Sequence, residues 1–340
     1  MNIYVINTTI MGLNIISYLK KRISIKGIIG LSKRESTDEI SGYVYQEEYC
    51  RDNKIGFLPI ETYTLRGKND KENILALDID VLIVIGWQRL IPEWLIKHVK
   101  VCVVGAHGSP HGISHGRGRS PQNWALILGN EHFYISIFKI DAGIDSGEII
   151  DTKYYTLSKY DDINTSHYKA GWLIGKMIAD NILNNKILAG TATPQEGKAQ
   201  YLPQRLPEDG KIDWSRTSEE IYNFIRGLTR PYPGAFSSFS DYRIIIWKGN
   251  PFHFTEDSMH YTEGEVVRIF SNGELLIKTG DSFFLVSDYS VEPEIGGSYL
   301  EEQIILSSAD FKEQIKRIVD RHYEKYPDFE ISDDIMTIIE

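Results

Sequence analysis

Two side chains that commonly share a proton, a histidine and an aspartate, lie in one window of this sequence, residues 104–150. His107 follows an apolar run that predicts a buried strand, and it enters a loop rich in glycine. Asp145 stands 38 residues further on, in the turn DAGIDSG between two predicted strands. A carboxylate beside an imidazole fixes the tautomer of the ring and stabilises its charged form, so such a pair can act as general base and acid. The spacing alone leaves open whether these two residues meet.

The elements that would position this pair alternate between strands and helices. Short, β-branched and nearly unbroken apolar runs predict buried strands at 3–6, 27–30, 81–85 and 101–104. Apolar residues at helical spacing predict helices at 13–21 and 92–100. This alternation predicts an α/β fold, a Rossmann-like and mostly parallel sheet with helices on both faces. Because such sheets bind ligands at the carboxyl ends of strands where the strand order reverses, chemistry is expected just after Gly86 or just after Val104.

The second half of the chain has a different pattern. A long helix is predicted from Asp161 or Thr165 to about residue 184, and short runs broken by glycines between 237 and 293 predict a small β-barrel or sandwich. The segment 190–210, rich in glycine, proline and polar residues, is expected to be a linker across the surface. The predicted organisation is an α/β domain over 1–190, a linker over 191–210, a smaller OB-like domain of β-barrel character over 211–306, and a helix with a loosely held acidic tail over 307–340.

Composition excludes several classes of protein. The chain has 340 residues and a formal net charge of −10, the wrong overall sign for a protein that neutralises many phosphates of a polynucleotide. Two cysteines, Cys50 and Cys102, cannot build a disulfide framework. The N-terminus lacks the pattern of a signal peptide and no apolar run is long enough to span a membrane. We therefore expect a cytoplasmic protein that does not bind membranes.

The window 104–150 resembles the active-site region of the folate-dependent formyltransferases, the family of the methionyl-tRNA and sugar-nucleotide enzymes. The family pattern of Asn-x-His-x-Ser, Arg-Gly with a following Pro, and Asp-x-Gly-x-Asp-x-Gly is matched by His107 and Ser109, Arg117-Gly118, Pro121, and residues 141–147. Trp124-Ala125 also fit, and IVIGWQRLIP (83–92) is similar to the segment lining the family's pterin pocket. RLPEDGKIDW and EEIYNFIRGLTRPYPGAF resemble the family's second domain.

The resemblance implies transfer of a formyl group from N10-formyltetrahydrofolate to an amine. His107 would move the proton between the attacking amine and the substrate, Asp145 would orient His107 or help deprotonate the amine, and Ser109 would assist. Residues implied to bind the folate donor are Gly86, Trp87, Gln88, Leu90, Ile140, Asp141 and Gly143. Residues implied to bind the acceptor are Gly105, His111, Arg117, Arg205, Arg230 and Tyr232. A homodimer is also implied.

One position departs from the family, because Gly105 stands where the family has the asparagine that donates to the developing oxyanion. Loss of one such donor typically lowers the rate by about 10²–10³-fold. Three explanations stay open: Ser109, His111 or a loop N–H replaces the amide; the transferred group or acceptor differs; or the protein binds without catalysis. The loop is also about two residues longer and carries His111 and His115. Because glycines make a helix improbable there, the three histidines are not predicted to share a metal ion.

The acceptor is inferred from charge. From residue 190 onward the sequence has no Lys/Arg cluster of the kind that tracks a phosphate backbone, and its C-terminal end is acidic. A nucleotide-linked amino sugar needs only a few cations, so the sequence predicts a sugar-nucleotide N-formyltransferase of polysaccharide biosynthesis that binds no nucleic acid. The alternatives are a methionyl-tRNA formyltransferase homologue and a member that is non-catalytic or has altered chemistry.

Overall fold

The computed structural model describes residues 1–33, 40, 42–254, 260–293 and 300–340. This chain divides into two compact units. The first comprises 1–118, 132–156 and 167–199, and the second comprises 119–131, 157–166 and 200–340. The predicted boundary near residue 190 stays a proposal, because two earlier segments group with the second unit.

The described residues form strands and helices that we number in chain order. The strands are β1 (Ile3–Ile6), β2 (Gly27–Leu31), β3 (Gly56–Ile60), β4 (Val81–Val84), β5 (Cys102–Ser109), β6 (Arg117–Gly118), β7 (His132–Lys139), β8 (Ile149–Thr156), β9 (Tyr201–Leu202), β10 (Ala235–Phe239), β11 (Tyr242–Phe252), β12 (Val266–Ile269), β13 (Leu275–Lys278) and β14 (Phe283–Glu292). The helices are α1 (Ile10–Leu19), α2 (Glu47–Asp52), α3 (Lys68–Leu75), α4 (Glu93–His98), α5 (Pro121–Ile127), α6 (Ile163–Leu183), α7 (Ser218–Leu228), α8 (Phe311–Lys325) and α9 (Asp333–Ile339).

The first unit is built on a seven-stranded sheet of order β3-β2-β1-β4-β5-β7-β8. Its first five strands in this order pair in parallel, whereas β7 pairs antiparallel with both β5 and β8. Strands β1 and β4 are buried along their whole length, which explains their unbroken apolar sequences. The predicted Rossmann-like α/β fold is therefore confirmed.

Strand β5 is longer than its apolar run predicts, because it continues to Ser109 in antiparallel pairing with β7. His107 therefore lies within a strand, opposite Ser136, and not in the loop where the sequence placed it. Gly108 permits this pairing, since a Cβ there would lie 2.3 Å from Cε1 of Phe133. The backbone of His107 is thus held by its pairing with β7.

The strand order reverses between β1 and β4, and hydrogen bonds connect the residues that follow these two strands. The Thr8 hydroxyl and N–H donate to the Gly86 carbonyl at 2.6 Å and 3.3 Å. Gly86 has a φ of +60°, and a Cβ at this position would lie 2.1 Å from Oγ1 of Thr9. Only glycine fits this conformation and this approach. The crevice at the switch point, where sheets of this class bind ligands, is therefore closely defined.

The second unit contains a five-stranded antiparallel sheet of order β10-β11-β14-β13-β12. Its core includes Trp124 from α5, Trp214 and the buried faces of α7 and α8. The predicted loosely held tail is wrong: Ile331 and Ile335 are fully buried in this core, and the acidic run ends in the first turn of α9. Their apolar side chains hold the C-terminal segment in place.

The predicted surface linker also needs correction. Thr193 exchanges two backbone hydrogen bonds with Ile149, at 2.7 Å and 2.8 Å, and so adds a bridge to the first unit's sheet beside β8. The part of the segment up to residue 199 belongs to the first unit.

Within the described residues, no helix is both long and apolar enough to cross a membrane.

The capping box of α7 allows a test of the second unit. The Thr217 hydroxyl accepts from the Glu220 N–H at 3.3 Å, and the Glu220 carboxylate accepts from the Thr217 N–H at 3.0 Å. We predict that Thr217→Ala lowers the free energy of unfolding by about 1 kcal/mol, whereas Thr217→Ser preserves it. Urea denaturation with hydrogen exchange of the α7 amides measures this. Equal protection in both variants would contradict the assigned cap.

The two free cysteines provide a second test. Burial raises the pKa of the Cys50 and Cys102 thiols to about 11, so little thiolate exists at pH 7.5. We predict slow reaction of both with a disulfide reagent in the folded protein and fast reaction in guanidinium. Single Cys→Ser variants assign the signals, and rapid modification of either thiol in the folded chain would contradict its burial.

Candidate active site

The structure brings His107 and Asp145 together. Nδ1 of His107 lies 3.4 Å from Oδ2 of Asp145, and Nε2 of the same ring lies 2.8 Å from the carbonyl oxygen of Gly116. The His107 side chain is only 10% exposed and that of Asp145 is 23% exposed. The pairing that the spacing left open is therefore present, and it is shielded from most of the solvent.

The two contacts of the imidazole determine where its protons lie. A carbonyl oxygen can only accept, so Nε2 of His107 must carry a hydrogen that it donates to Gly116. In the neutral ring Nδ1 is then unprotonated and faces the Asp145 carboxylate. One added proton is shared between these two atoms and forms an ion pair. The pair is thus arranged to accept and return a single proton on its Asp145 side.

Asp145 is held in an unusual backbone conformation. Its φ is +50°, in the left-handed region that costs non-glycine residues energy. Its carboxylate accepts from the Gly118 N–H at 3.1 Å, and its carbonyl accepts from the Gln195 amide at 2.7 Å. The surrounding structure therefore fixes both the backbone and the carboxylate of Asp145.

The turn that carries Asp145 is held by its own side chains. The Asp141 carboxylate accepts from the Gly143 N–H at 3.0 Å and from the Ser146 hydroxyl at 2.6 Å. A Cβ at Gly147 would lie 1.7 Å from the Lys139 carbonyl oxygen, so glycine is required where β7 and β8 approach. The motif DAGIDSG thus encodes a tight turn that presents Asp145. Asp141 acts within this turn in the structure, and its predicted contact with a folate stays a prediction.

A cavity of about 160 Å³ opens beside Asp145, at the carboxyl end of β4 and next to Gly105 and Ala106 in the middle of β5. Five of the residues predicted to bind the donor line it: Gly86, Trp87, Leu90, Ile140 and Gly143. Most of the other lining side chains are also apolar, among them Ile15, Ile91 and Phe138. Gln88 is exposed and its N–H donates to the Tyr63 hydroxyl at 3.0 Å. The cavity has the apolar walls and few polar groups typical of a site for a flat organic molecule.

Trp87 supplies a polar atom for such a molecule. Its ring packs edge-on against Tyr63, with centroids 4.7 Å apart, which fixes its plane. Its indole Nε1 is buried and has no hydrogen-bond partner among the described residues. A buried donor without a partner is costly, and a ligand acceptor would satisfy it. The residues present therefore fit a folate donor.

Gly105 also lines the cavity, and the structure shows what replaces the absent asparagine side chain. A Cβ at this position would lie 2.9 Å from Cγ1 of Ile140 and 3.1 Å from Cζ of Phe138. The space is thus occupied by apolar groups that offer no hydrogen bond. Any donor to a developing oxyanion must come from another part of the site.

Ser109 and His111, two further predicted residues of the first unit, follow His107 in the chain. Ser109 is fully buried at the end of β5, and its hydroxyl accepts from the His111 N–H at 3.3 Å. His111 and His115 are exposed on the loop. Within the described residues, no group of three or more His, Cys, Asp or Glu is placed to hold a metal ion. The catalytic role of Ser109 and the acceptor role of His111 stay predictions.

Arg117 binds Gln195, a residue that the sequence did not indicate. Its guanidinium donates to the side-chain oxygen of Gln195, from Nη2 at 2.8 Å and from Nε at 3.3 Å. Gln195 lies in the segment interpreted as a linker, where a single amide side chain has no periodicity or motif to distinguish it. Its proximity to the site follows from the Thr193–Ile149 bridge.

Three predicted acceptor residues belong to the second unit. The Arg205 guanidinium lies 4.7 Å from the Trp124 ring centroid, and burial lowers its pKa to about 10. Arg230 is exposed, 3.4 Å from the Asp288 carboxylate. Burial raises the pKa of Tyr232 to about 12. These contacts are internal to the second unit, and a role in acceptor binding stays a prediction for all three.

Comparisons with known proteins identify the family of this chain. Residues 26–170 match the family model described as formyl transferase, and residues 206–294 match its C-terminal domain. The bifunctional polymyxin resistance protein ArnA of Wigglesworthia glossinidia brevipalpis is 35% identical over 173 residues, which is 50% of this chain and 26% of that protein. Methionyl-tRNA formyltransferase of Halothermothrix orenii is 26% identical over 234 residues, 67% of this chain and 72% of that protein.

A solved structure shares the fold. The N-formyltransferase of Helicobacter canadensis, in complex with folinic acid and dTDP-3-aminofucose, superposes with a TM-score of 0.59 at 15% identity. The match covers 85% of this chain and 100% of that one. The chain thus matches only about a quarter of the length of ArnA but the full length of this structure.

The packing at Gly105 can be tested by substitution. We predict that Gly105→Ala lowers the free energy of unfolding by about 1–3 kcal/mol, because the methyl group overlaps Ile140 and Phe138. Ile140→Ala removes the closest atoms, so the double variant should lose less than the sum of the two single losses. Urea denaturation of all four proteins completes this cycle. Strict additivity would show that these side chains do not occupy the space beside Gly105.

Proposed function

Because this chain belongs to the formyl transferase family, we propose that it transfers a formyl group from N10-formyltetrahydrofolate to the amine of a nucleotide-linked amino sugar. The observation that carries the proposal is the His107–Asp145 pair at 3.4 Å, beside an apolar cavity at the switch point of the sheet. A proton acceptor, a held carboxylate and a slot for a flat donor are the parts that this transfer needs.

In this reaction the residues of the site either move a proton or exclude water from the formyl donor. The bound donor would supply an electrophilic formyl carbon, and attack by an amine places positive charge on its nitrogen and negative charge on the formyl oxygen. The pair of His107 and Asp145 would take the proton from that nitrogen, because one more proton can lie between Nδ1 and Oδ2, and would return it to N10 of the donor as the bond between N10 and the formyl carbon breaks. Trp87 and Ile140 form walls that exclude water from the donor. Gly105 offers no side chain, so the donor to the oxyanion would be another group, and the candidates are Ser109, His111 and a loop N–H.

Charge supports a small acceptor over a polynucleotide. Residues 191–340 contain 15 Lys and Arg against 27 Asp and Glu, a difference of −12 that exceeds the net charge of the whole chain. Helix α8 is rich in basic residues, yet its Arg321 pairs with Asp209 at 2.6 Å and its Lys316 pairs with Glu313. Such a surface is poorly suited to following many phosphates, whereas a nucleoside diphosphate needs only a few cations.

The second candidate is a methionyl-tRNA formyltransferase, and the sequence match over 234 residues to the Halothermothrix orenii protein favours it. The sugar enzyme of Helicobacter canadensis, matched over its full length, favours the first candidate. Both candidates use the same His107–Asp145 chemistry and differ only in the acceptor.

The catalytic pair predicts a large kinetic effect. Asp145→Asn keeps the size of the side chain but removes the proton-sharing carboxylate, and we expect kcat to fall by about 10²–10⁴-fold. Release of tetrahydrofolate with a panel of amino-sugar nucleotides measures turnover. Glu148→Gln, a change of an exposed carboxylate three residues away, should retain wild-type turnover. Equal turnover of Asp145→Asn and wild type would remove Asp145 from the mechanism.

The acceptor is tested by salt dependence. The surface of this protein is not suited to contact many phosphates of a polynucleotide. Its affinity for initiator tRNA should therefore be weak and should fall only slightly as the salt concentration rises. Filter binding at several salt concentrations measures the slope of log K against log salt. A steep slope together with formylation of aminoacylated tRNA would replace the sugar nucleotide by tRNA as the acceptor.

A further inference from the structure

The segment after α6 contributes one side chain, that of Gln195, to the active site. Thr193, two residues earlier, is fixed to Ile149 by two backbone hydrogen bonds. The Gln195 side chain then lies partly buried between the Asp145 turn and the loop that holds Arg117. The Gln195 amide therefore lies next to the Asp145 turn and next to the Arg117–Gly118 strand, whose Gly118 N–H donates to the Asp145 carboxylate.

Every hydrogen-bonding position of the Gln195 amide is used. Its Nε2 donates to the carbonyl oxygens of Asp145 at 2.7 Å and Gly147 at 2.9 Å. Its Oε1 accepts from the Arg117 guanidinium and, at 3.4 Å, from the Ser114 hydroxyl. An amide has two N–H donors and two acceptor lone pairs, so this one is saturated. No free group of Gln195 remains to contact a substrate.

We propose that Gln195 is a positioning residue, which holds the Asp145 turn against the Arg117–Gly118 strand so that the Asp145 carboxylate stays at Nδ1 of His107. Two facts show why such a clamp is needed. Asp145 adopts a left-handed φ of +50°, which persists only where neighbours impose it. Its carboxylate also accepts from the N–H of Gly118, the residue after Arg117, so movement of either side separates the pair.

This inference rests on the proposed function for its kinetic readout but not for its structural one. The structural readout is the ¹⁵N signal of Nδ1 in the His107 ring at fixed pH, which reports whether Asp145 is in contact. In Gln195→Ala we expect this signal to move to its value in Asp145→Asn. We also expect kcat to fall by about 10²-fold, with little change in KM for the formyl donor, since displacement of a reacting group by about 1 Å has this effect.

Gln195→Glu separates the two halves of the clamp. Its carboxylate still accepts from Arg117 but cannot donate to the carbonyls of Asp145 and Gly147. We expect it to resemble Gln195→Ala in both readouts, and it carries the test should Gln195→Ala fail to fold. The matched control is Glu196→Ala, a change in the adjacent exposed side chain, which should match wild type.

Two outcomes would overturn the proposal: an unchanged His107 signal in Gln195→Ala, or wild-type behaviour of Gln195→Glu, which would limit the amide to supporting Arg117. Failure of the wild-type chain to transfer formyl groups contradicts the proposed function alone. The His107 signal then still decides the role of Gln195.

Discussion

The imidazole of His107 is held by an oxygen at each of its two nitrogens, and the rest of the site depends on this arrangement. The Gly116 carbonyl fixes the proton on Nε2, so only Nδ1 is left to exchange a proton with Asp145. A rotation of the ring would break both contacts at once. Pairing of β5 with β7 on one side fixes the backbone of His107, and the turn between β7 and β8 fixes Asp145. The sheet therefore serves as the rigid support for a two-residue proton site.

Close approach of backbones makes this support possible. Gly86 and Gly108 stand where a Cβ would overlap neighbouring side chains, and Gly147 stands where it would overlap a carbonyl oxygen. At Gly105 the same property has a chemical consequence, because Ile140 and Phe138 occupy the space of a polar side chain. The cavity therefore has more apolar surface for the folate, and it lacks one side chain that could donate a hydrogen bond. This exchange distinguishes the site from the pattern of its family.

The two units differ in what they contain. The first unit contains the proton pair, the cavity and Gln195. The second unit carries the excess negative charge of the chain, and its buried arginines are used within its own structure. Arg205 packs against the Trp124 ring, and burial lowers its pKa to about 10.

The sequence by itself determined the parallel sheet and the family, and it identified His107 and Asp145 as candidates without showing that they meet, because buried strands, glycine turns and motif spacing are local patterns. It placed His107 in a loop and residues 191–199 in a linker, since pairing of β5 with β7 and of Thr193 with Ile149 joins segments far apart in the chain. It also predicted a loose tail where Ile331 and Ile335 are buried. Only the tertiary structure showed Gln195 at the site and apolar atoms beside Gly105, because both depend on which distant side chains come into contact.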